Sequence, residues 1–344
     1  MRAAKQIRKG LIELHDVENP SVKKANEVLL RVEAVGLCGT DRHYFVTGKV
    51  GGDPIQAPFI PGHEAAGVVV ETGAAVRRVN PGDPVVVDPA ISCGSCDQCL
   101  MGRRHTCRNL RFLGYPGQMD GALCEFILMP EDNCFPVPDL TAVQRVLVEP
   151  LSIAIHAIQL AHTHDTHTIG ILGCGTIGLS ALLAAQAMGI EKTYMTDPVP
   201  ERILAADRED ATWTADPSVE NVQESILSLE PLGLDVVFEC CGSQQAVDTA
   251  IDVLKPGGVL AIIGIPESGK IDFDPHKLRR KELTVVNVRR QNECIAGAVN
   301  LIRTEDVKLD FMATHTFQLD QVQEAFEMAA DYRDGILKAI ISLD

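Results

Sequence analysis

The chain is short of positive charge. Its 344 residues carry 31 Lys and Arg against 47 Asp and Glu, a formal charge of −16 with the histidines neutral. Nucleic acids and anionic membranes repel such a chain at long range. Its basic pieces, Arg103-Arg104, Arg279-Arg280-Lys281 and Arg289-Arg290, are too short and too scattered to override that. Long hydrophobic runs are missing as well. Leu179–Ile190 and Val259–Pro266 fall far below the roughly 20 residues that span a bilayer, and Met1–Asp16 mixes charges with apolar residues where a secretion signal needs an unbroken apolar core. There is no internal repeat and no low-complexity tract. The expectation is a soluble cytoplasmic protein with neither a nucleic-acid nor a membrane partner, and, at roughly 100 to 200 residues per domain, with two domains.

What the chain does have is cysteine. Eleven is an odd number, and four of them crowd into Cys93–Cys107, which in a long chain without a secretion signal points to metal before disulfides. Cys93, Cys96, Cys99 and Cys107 are separated by two, two and seven residues. Four thiolates in one loop meet the tetrahedral demand of a closed structural zinc site, whereas iron–sulfur clusters favour other spacings. Four protein ligands leave no open position, so this metal folds a lobe.

A looser constellation comprises Cys38-Gly-Thr40-Asp-Arg-His43, Gly62-His63-Glu64 and Val148-Glu149-Pro150. A Cys, a His and a carboxylate from three segments can leave one coordination position for water or substrate, as catalytic zinc requires. Each piece alone is weak, because an isolated Cys or His is more often a packed core residue than a ligand.

The composition changes along the chain. Up to about residue 150 it is dense in Gly and Pro, with short β-rich pieces such as Glu27–Val35, Ala65–Glu71 and Pro84–Asp88, an irregular and mostly β module. From Thr168 apolar strands alternate with helical segments: Thr168–Leu172, Thr176–Met188, Lys192–Thr196, Pro200–Ala206, Asp235–Glu239, Gln244–Leu254 and Gly258–Gly264. Such alternation implies a parallel sheet with crossover helices, an α/β domain. A strand over Glu282–Val288 and a helix near Asn292–Ile302 follow.

Between the first strand and helix of that domain lies Gly173-Cys-Gly175-Thr176-Ile177-Gly178, with Asp197 nineteen residues beyond Gly178. The glycines allow a tight turn and close backbone approach to a pyrophosphate at a helix N-terminus. Asp197 would accept the adenosine ribose hydroxyls and repel a 2′-phosphate, favouring NAD over NADP. Arg202, five residues on, is the remaining cofactor candidate. Two imitations fail. Gly264–Lys270 has phosphate-loop spacing, but Ile271 stands where a Ser or Thr hydroxyl is required and Pro266 removes a donor. His162, His164 and His167 lie in a polar connection and read as a solvated loop.

Together these motifs resemble the zinc-dependent medium-chain dehydrogenase family over essentially the whole chain. The resemblance implies a GroES-like catalytic domain, residues 1–150 and 288–344, with the zinc lobe at 93–107, wrapped around a doubly wound Rossmann NAD domain at 151–287. It also implies two zinc ions per chain and a homo-oligomer, dimer or tetramer. Within the family the chain is most similar to sorbitol and other polyol dehydrogenases, because Val148-Glu149-Pro150-Leu151-Ser152 stands where the alcohol dehydrogenase branch has a cysteine ligand. By that resemblance Cys38 and His63 ligate the catalytic zinc, while Glu64 and Glu149 share the remaining positions directly or through water. Tyr44 and Arg289 match positions that contact substrate hydroxyls. Arg290, Gln291 and Gln118 depart from the sorbitol enzymes.

The implied reaction is hydride transfer between a secondary alcohol of a polyol or cyclitol and NAD, giving a ketose or ketone. Thr40 would take the alcohol proton and hand it through the nicotinamide ribose to His43, whose ordinary pKa suits a shuttle. Threonine 3-dehydrogenase shares the Cys-Gly-Thr-Asp-x-His segment and the four-cysteine lobe, so an amino-acid alcohol, or another secondary alcohol or diol, is the nearest competitor. A non-catalytic NAD-binding protein would have lost the open-site ligands, and Cys38, His63 and Glu149 are all present.

Overall fold

The computed structural model describes residues 1–50, 53–161, 166–266 and 269–343. The connection expected around His162 and His164 lies outside these residues, as do Glu267 and Ser268 of the Gly264–Lys270 loop. Two compact units emerge: Met1–Glu149 with Ala298–Arg303 and Leu309–Asp344, and Pro150–Gly297 with Thr304–Lys308. The chain leaves the first unit at Pro150, inside the helix Ala142–Leu160, where proline has no N–H for an intrahelical bond. It returns at Ala298, ten residues later than the expected 288. The reason is that the segment following the last parallel strand, Thr284–Asn287, and the start of the helix Ile295–Arg303 still belong to the second unit.

The first unit is built on a seven-stranded sheet. Its centre is the strand Glu27–Gly36, whose sequence EVLLRVEAVG is buried at most positions. On one side it pairs antiparallel with Glu64–Thr72, which pairs in turn with Pro84–Val87. The C-terminal strand Ala339–Ser342 also pairs with it, Ile340 opposite Gly36 and Ser342 opposite Ala34. That pairing brings the tail back to the N-terminal module. Leu30, Val32, Val35, Val85, Leu123, Met129, Phe326 and Ile341 fill the core.

The second unit holds a six-stranded parallel sheet in the spatial order Trp213–Ala215, Lys192–Thr196, Thr168–Leu172, Leu234–Glu239, Leu254–Ile262, Thr284–Asn287. In chain order that is third, second, first, fourth, fifth, sixth, the doubly wound arrangement that binds dinucleotides where the order reverses. Thr168–Leu172 is buried at every position, as a central parallel strand must be. Two helices lying wholly within this unit, Val222–Leu229 and Pro275–Lys281, have no counterpart in the sequence reading. Asp274 caps Pro275–Lys281, accepting the N–H groups of His276 and Lys277, with Pro275 at the first helical position. Among the described residues no helix is long and apolar enough to cross a membrane.

Candidate active site and metal centres

In the lobe of the first unit, the Sγ atoms are 4.0 Å apart for Cys93 and Cys99, 3.6 Å for Cys96 and Cys99, and 3.9 Å for Cys96 and Cys107. A tetrahedral ion with bonds of about 2.3 Å sets its sulfurs about 3.8 Å apart, whereas a disulfide needs about 2.05 Å. The donor set therefore fits zinc. Backbone N–H groups of Ser95 and Cys96 pull the Cys93 thiol down to about 5, while burial pushes Cys107 up to about 11. Around the thiols, Arg108 Nη2 reaches Asp97 Oδ2 at 2.9 Å and the Thr106 hydroxyl donates to Gln98 Oε1 at 2.8 Å.

The second constellation assembles at the start of the helix Gly39–Thr47. Cys38 is its N-cap, and the Cys38 N–H donates to Asp41 Oδ2 at 3.1 Å. Asp41 is wholly buried, and its Oδ1 accepts the Gly62 N–H at 3.2 Å and lies 3.6 Å from His63 Nδ1. One carboxylate thus joins the helix carrying Cys38 to the turn carrying His63. Gly62 sits at φ +94°, where a Cβ would meet Val35 and Leu123 at 3.0 Å. Burial alone would depress His63, but Asp41 and the Cys38 thiol outweigh it and hold the imidazole well above its ordinary value. Zinc would have to displace that proton.

Glu64 and Glu149 are both buried, and they are treated differently. Lys338 Nζ donates to Glu64 Oε2 at 2.6 Å, to Oε1 at 2.7 Å and to the Leu37 carbonyl at 3.1 Å. A Cβ on Gly36, opposite Glu64 in the sheet, would lie 2.3 Å from Oε2. Glu149 is pushed up to about 7, first by burial and then by Glu64, with His63 and Lys338 opposing. Among the described residues only the four lobe cysteines bring their ligand atoms within 4.8 Å of one another, so Cys38, His63, Glu64 and Glu149 are neighbours without forming a closed cluster. Lys338 is the physical reason for Glu64. A thiol, an imidazole and two desolvated carboxylates nevertheless fit a divalent cation, which relieves the burial cost that pushes Glu149 up.

Thr40 and His43 are half-buried and three residues apart on the helix, hence on one face. Tyr44 is buried, its ring edge-on to Phe59 and to Tyr115 at centroid distances of 6.0 and 6.5 Å. Phe112 packs on the His63 ring at 5.2 Å. Asp41, Lys338 and Phe112 had drawn no role from the sequence reading. Asp41 at least stood inside the Cys38–His43 motif, whereas Lys338 shows only as a lone cation ahead of an apolar strand.

In the second unit the Gly173–Gly178 turn follows its strand directly, and Gly175 caps the helix Thr176–Ala187. A Cβ on Gly178 would lie 1.8 Å from the Gly173 carbonyl oxygen, so only glycine fits there. Asp197 Oδ2 accepts the Cys174 N–H at 2.8 Å and Oδ1 accepts the Val199 N–H at 2.9 Å. Each oxygen keeps a lone pair for a ribose hydroxyl. Arg202 Nη1 lies 3.7 Å from Asp197 Oδ2, so the acidic residue expected to repel a 2′-phosphate has a cation beside it. Arg289 follows the strand Thr284–Asn287 in this unit.

Two family models match the chain, the alcohol dehydrogenase GroES-like domain over residues 24–139 and the zinc-binding dehydrogenase over residues 176–304. The sorbitol dehydrogenase of Bacillus subtilis (strain 168) is 32% identical over 343 residues, 99% of this chain and 97% of the relative. That of Bos taurus is 32% identical over 324 residues, 93% and 90% of the two chains. A zinc-binding dehydrogenase-type protein from Sinorhizobium meliloti 1021, solved bound to NADP, superposes with a TM-score of 0.91 at 32% identity over 99% of both chains. Agreement of this extent in both halves makes the chain a member of the zinc-binding medium-chain dehydrogenase family, on its polyol branch: an oxidoreductase that works with zinc and NAD(P).

Proposed function

We propose that the chain oxidises a secondary alcohol of a polyol or cyclitol to the ketose or ketone, with NAD as the preferred acceptor. The observation that carries this reading is the half-buried Cys38 with the buried His63 and Glu149, a carboxylate standing where the alcohol dehydrogenase branch has a cysteine. When bound, zinc polarises the alcohol oxygen and lowers its pKa, and the nicotinamide takes up the hydride. Cys38, His63 and Glu149 would hold the metal, while both oxygens of Glu64 are engaged by Lys338. Asp41 fixes the His63 ring and, with it, the start of the helix. Thr40 accepts the proton leaving the alcohol, and His43, on the same helix face, passes it to solvent. Tyr44, held in place by Phe59 and Tyr115, presents a rigid aromatic wall to the carbon chain of the substrate.

The preference for NAD is supported by Asp197, whose charge opposes a 2′-phosphate, and it is moderated by Arg202. The deciding experiment joins metal content per chain to reduced-cofactor formation, with NAD and with NADP, across sorbitol, xylitol, inositols, threonine and simple alcohols. Two zinc ions and turnover of polyols with NAD are expected. Threonine as the preferred substrate would replace the polyol reading, and absence of turnover on every alcohol by zinc-loaded protein would sink it.

A further inference from the structure

Glu239 ends the strand Leu234–Glu239 at the carboxyl edge of the parallel sheet and is wholly buried. Its backbone carbonyl accepts the N–H groups of Ile263 at 2.8 Å and Gly264 at 3.0 Å. Its Oε1 accepts those of Cys241 at 2.9 Å, Gly242 at 2.6 Å and Ser243 at 3.4 Å, and the Cys241 thiol donates to it at 3.0 Å. Oε2 is buried with no hydrogen-bond partner among the described residues. A Cβ on Gly264 would come within 2.5 Å of that oxygen and 2.1 Å of the Gly242 nitrogen, so the two loops close over the carboxylate with no room for another side chain.

A buried carboxylate with one oxygen unmet is costly. The turn does not demand it, because a neutral Gln could accept the same backbone N–H bonds. What Glu adds is charge. In a sheet of this order the dinucleotide lies across the carboxyl ends, one half on each side of the reversal between the strands Thr168–Leu172 and Leu234–Glu239. The Gly173–Gly178 turn and Asp197 belong to the first side, which leaves Glu239 and the loops it ties on the side of the nicotinamide half. The oxidised ring carries a positive charge and the reduced ring carries none.

We infer that Glu239 is a positioning residue whose buried charge sets the preference of this cleft for NAD⁺ over NADH. The inference rests on reading the sheet as an NAD site. A full charge within about 10 Å at an effective dielectric near 20 is worth on the order of tenfold in the ratio of the two affinities.

The test is calorimetric binding of NAD⁺ and of NADH, separately, to the zinc-loaded enzyme without substrate. Glu239→Gln is expected to weaken NAD⁺ about tenfold and to leave NADH within about twofold. Glu239→Asp keeps the charge and is expected to keep the ratio, even where both affinities fall together. Gln245→Glu places a second, exposed charge in the first turn of the helix Gln244–Val253 that follows the same turn, out of contact with Glu239, and should move the ratio the other way, so it decides the matter if Glu239→Gln does not fold. Equal losses for both nucleotides in Glu239→Gln, or an unmoved ratio in Gln245→Glu, overturn the inference. Failure of the wild-type enzyme to bind either nucleotide would strike instead at the NAD reading beneath it.

Discussion

Lys338→Met tests the charge balance of the active site where it is most exposed to failure. Lys338 and Glu64 have side chains 2% and 1% exposed, and the lysine makes three hydrogen bonds, two to Glu64 and one to the Leu37 carbonyl. Methionine keeps the apolar stem and removes the cation, stranding the Glu64 carboxylate against Gly36. Removing one partner of a buried pair costs about 3–5 kcal/mol, and the lost bond to Leu37 adds about 1 kcal/mol. Metal-free Lys338→Met should therefore unfold about 4–6 kcal/mol more easily than the wild type.

The only tryptophan, Trp213, lies in the second unit, so fluorescence would report the wrong half. Amide exchange along Glu27–Gly36 in urea reads the first unit directly. Lys338→Met with Glu64→Gln removes the stranded charge and should recover most of the loss, and zinc should reduce the loss in the single variant by giving Glu64 another cation. Burial depresses the Lys338 pKa, but Glu64 and Cys38 outweigh it and raise it above its ordinary value. Its contribution is accordingly full below the unfolded value of about 10.4 and fades as pH rises through the folded one, so the variant should show a shallower alkaline slope. A single variant within 1 kcal/mol of wild type, or a double variant no better than the single, would refute the reasoning.

Asp41→Asn removes the charge that joins Cys38, Gly62 and His63; competition with a chelator should show catalytic zinc bound about 10–100-fold more weakly, the lobe zinc unchanged. Gly178→Ala forces a Cβ against the Gly173 carbonyl and should abolish measurable NAD(P) binding, with a loss of about 2 kcal/mol or more in stability by thermal melting. Asp235 is pushed up by burial but more strongly held down by Lys255 and by the His167 and Thr168 N–H groups, so its pKa is lowered. It therefore stabilises the fold above its unfolded pKa, and that stability is lost as pH falls through the folded value. Asp235→Asn should cost about 1–2 kcal/mol at pH 7 and flatten the acid limb of the stability curve.

The parts written in local sequence were legible. The four cysteines, the Gly173–Gly178 turn and the alternation of strands and helices each lie within a few residues of one another, so spacing alone specifies their geometry. The strand Thr168–Leu172 and the start of its helix at Thr176 fall where the sequence places them. Lys338 was not legible, because its partner is 274 residues away and the two meet only through the register that sets Gly36 opposite both Glu64 and Ile340. Glu239 was hidden for a different reason: as the last residue of an apolar strand it resembles an ordinary solvated strand end, and only the loops closing over it reveal the burial. The helix Pro275–Lys281 had its signal in Asp274-Pro275, obscured by the rejection of the phosphate-loop imitation just before it.

The lobe enters and leaves the first unit through a neck two residues wide, Ala90–Ile91 against Arg111–Phe112, closed by the Leu113 N–H on the Pro89 carbonyl at 3.0 Å. The second strand of that neck carries the ring that lies on His63. The nineteen or so residues between are thus a cassette carried on that neck, open to replacement by a shorter turn or a metal-free insert. Any graft that preserves the neck keeps Phe112 in register, and with it the ring that packs on the His63 imidazole.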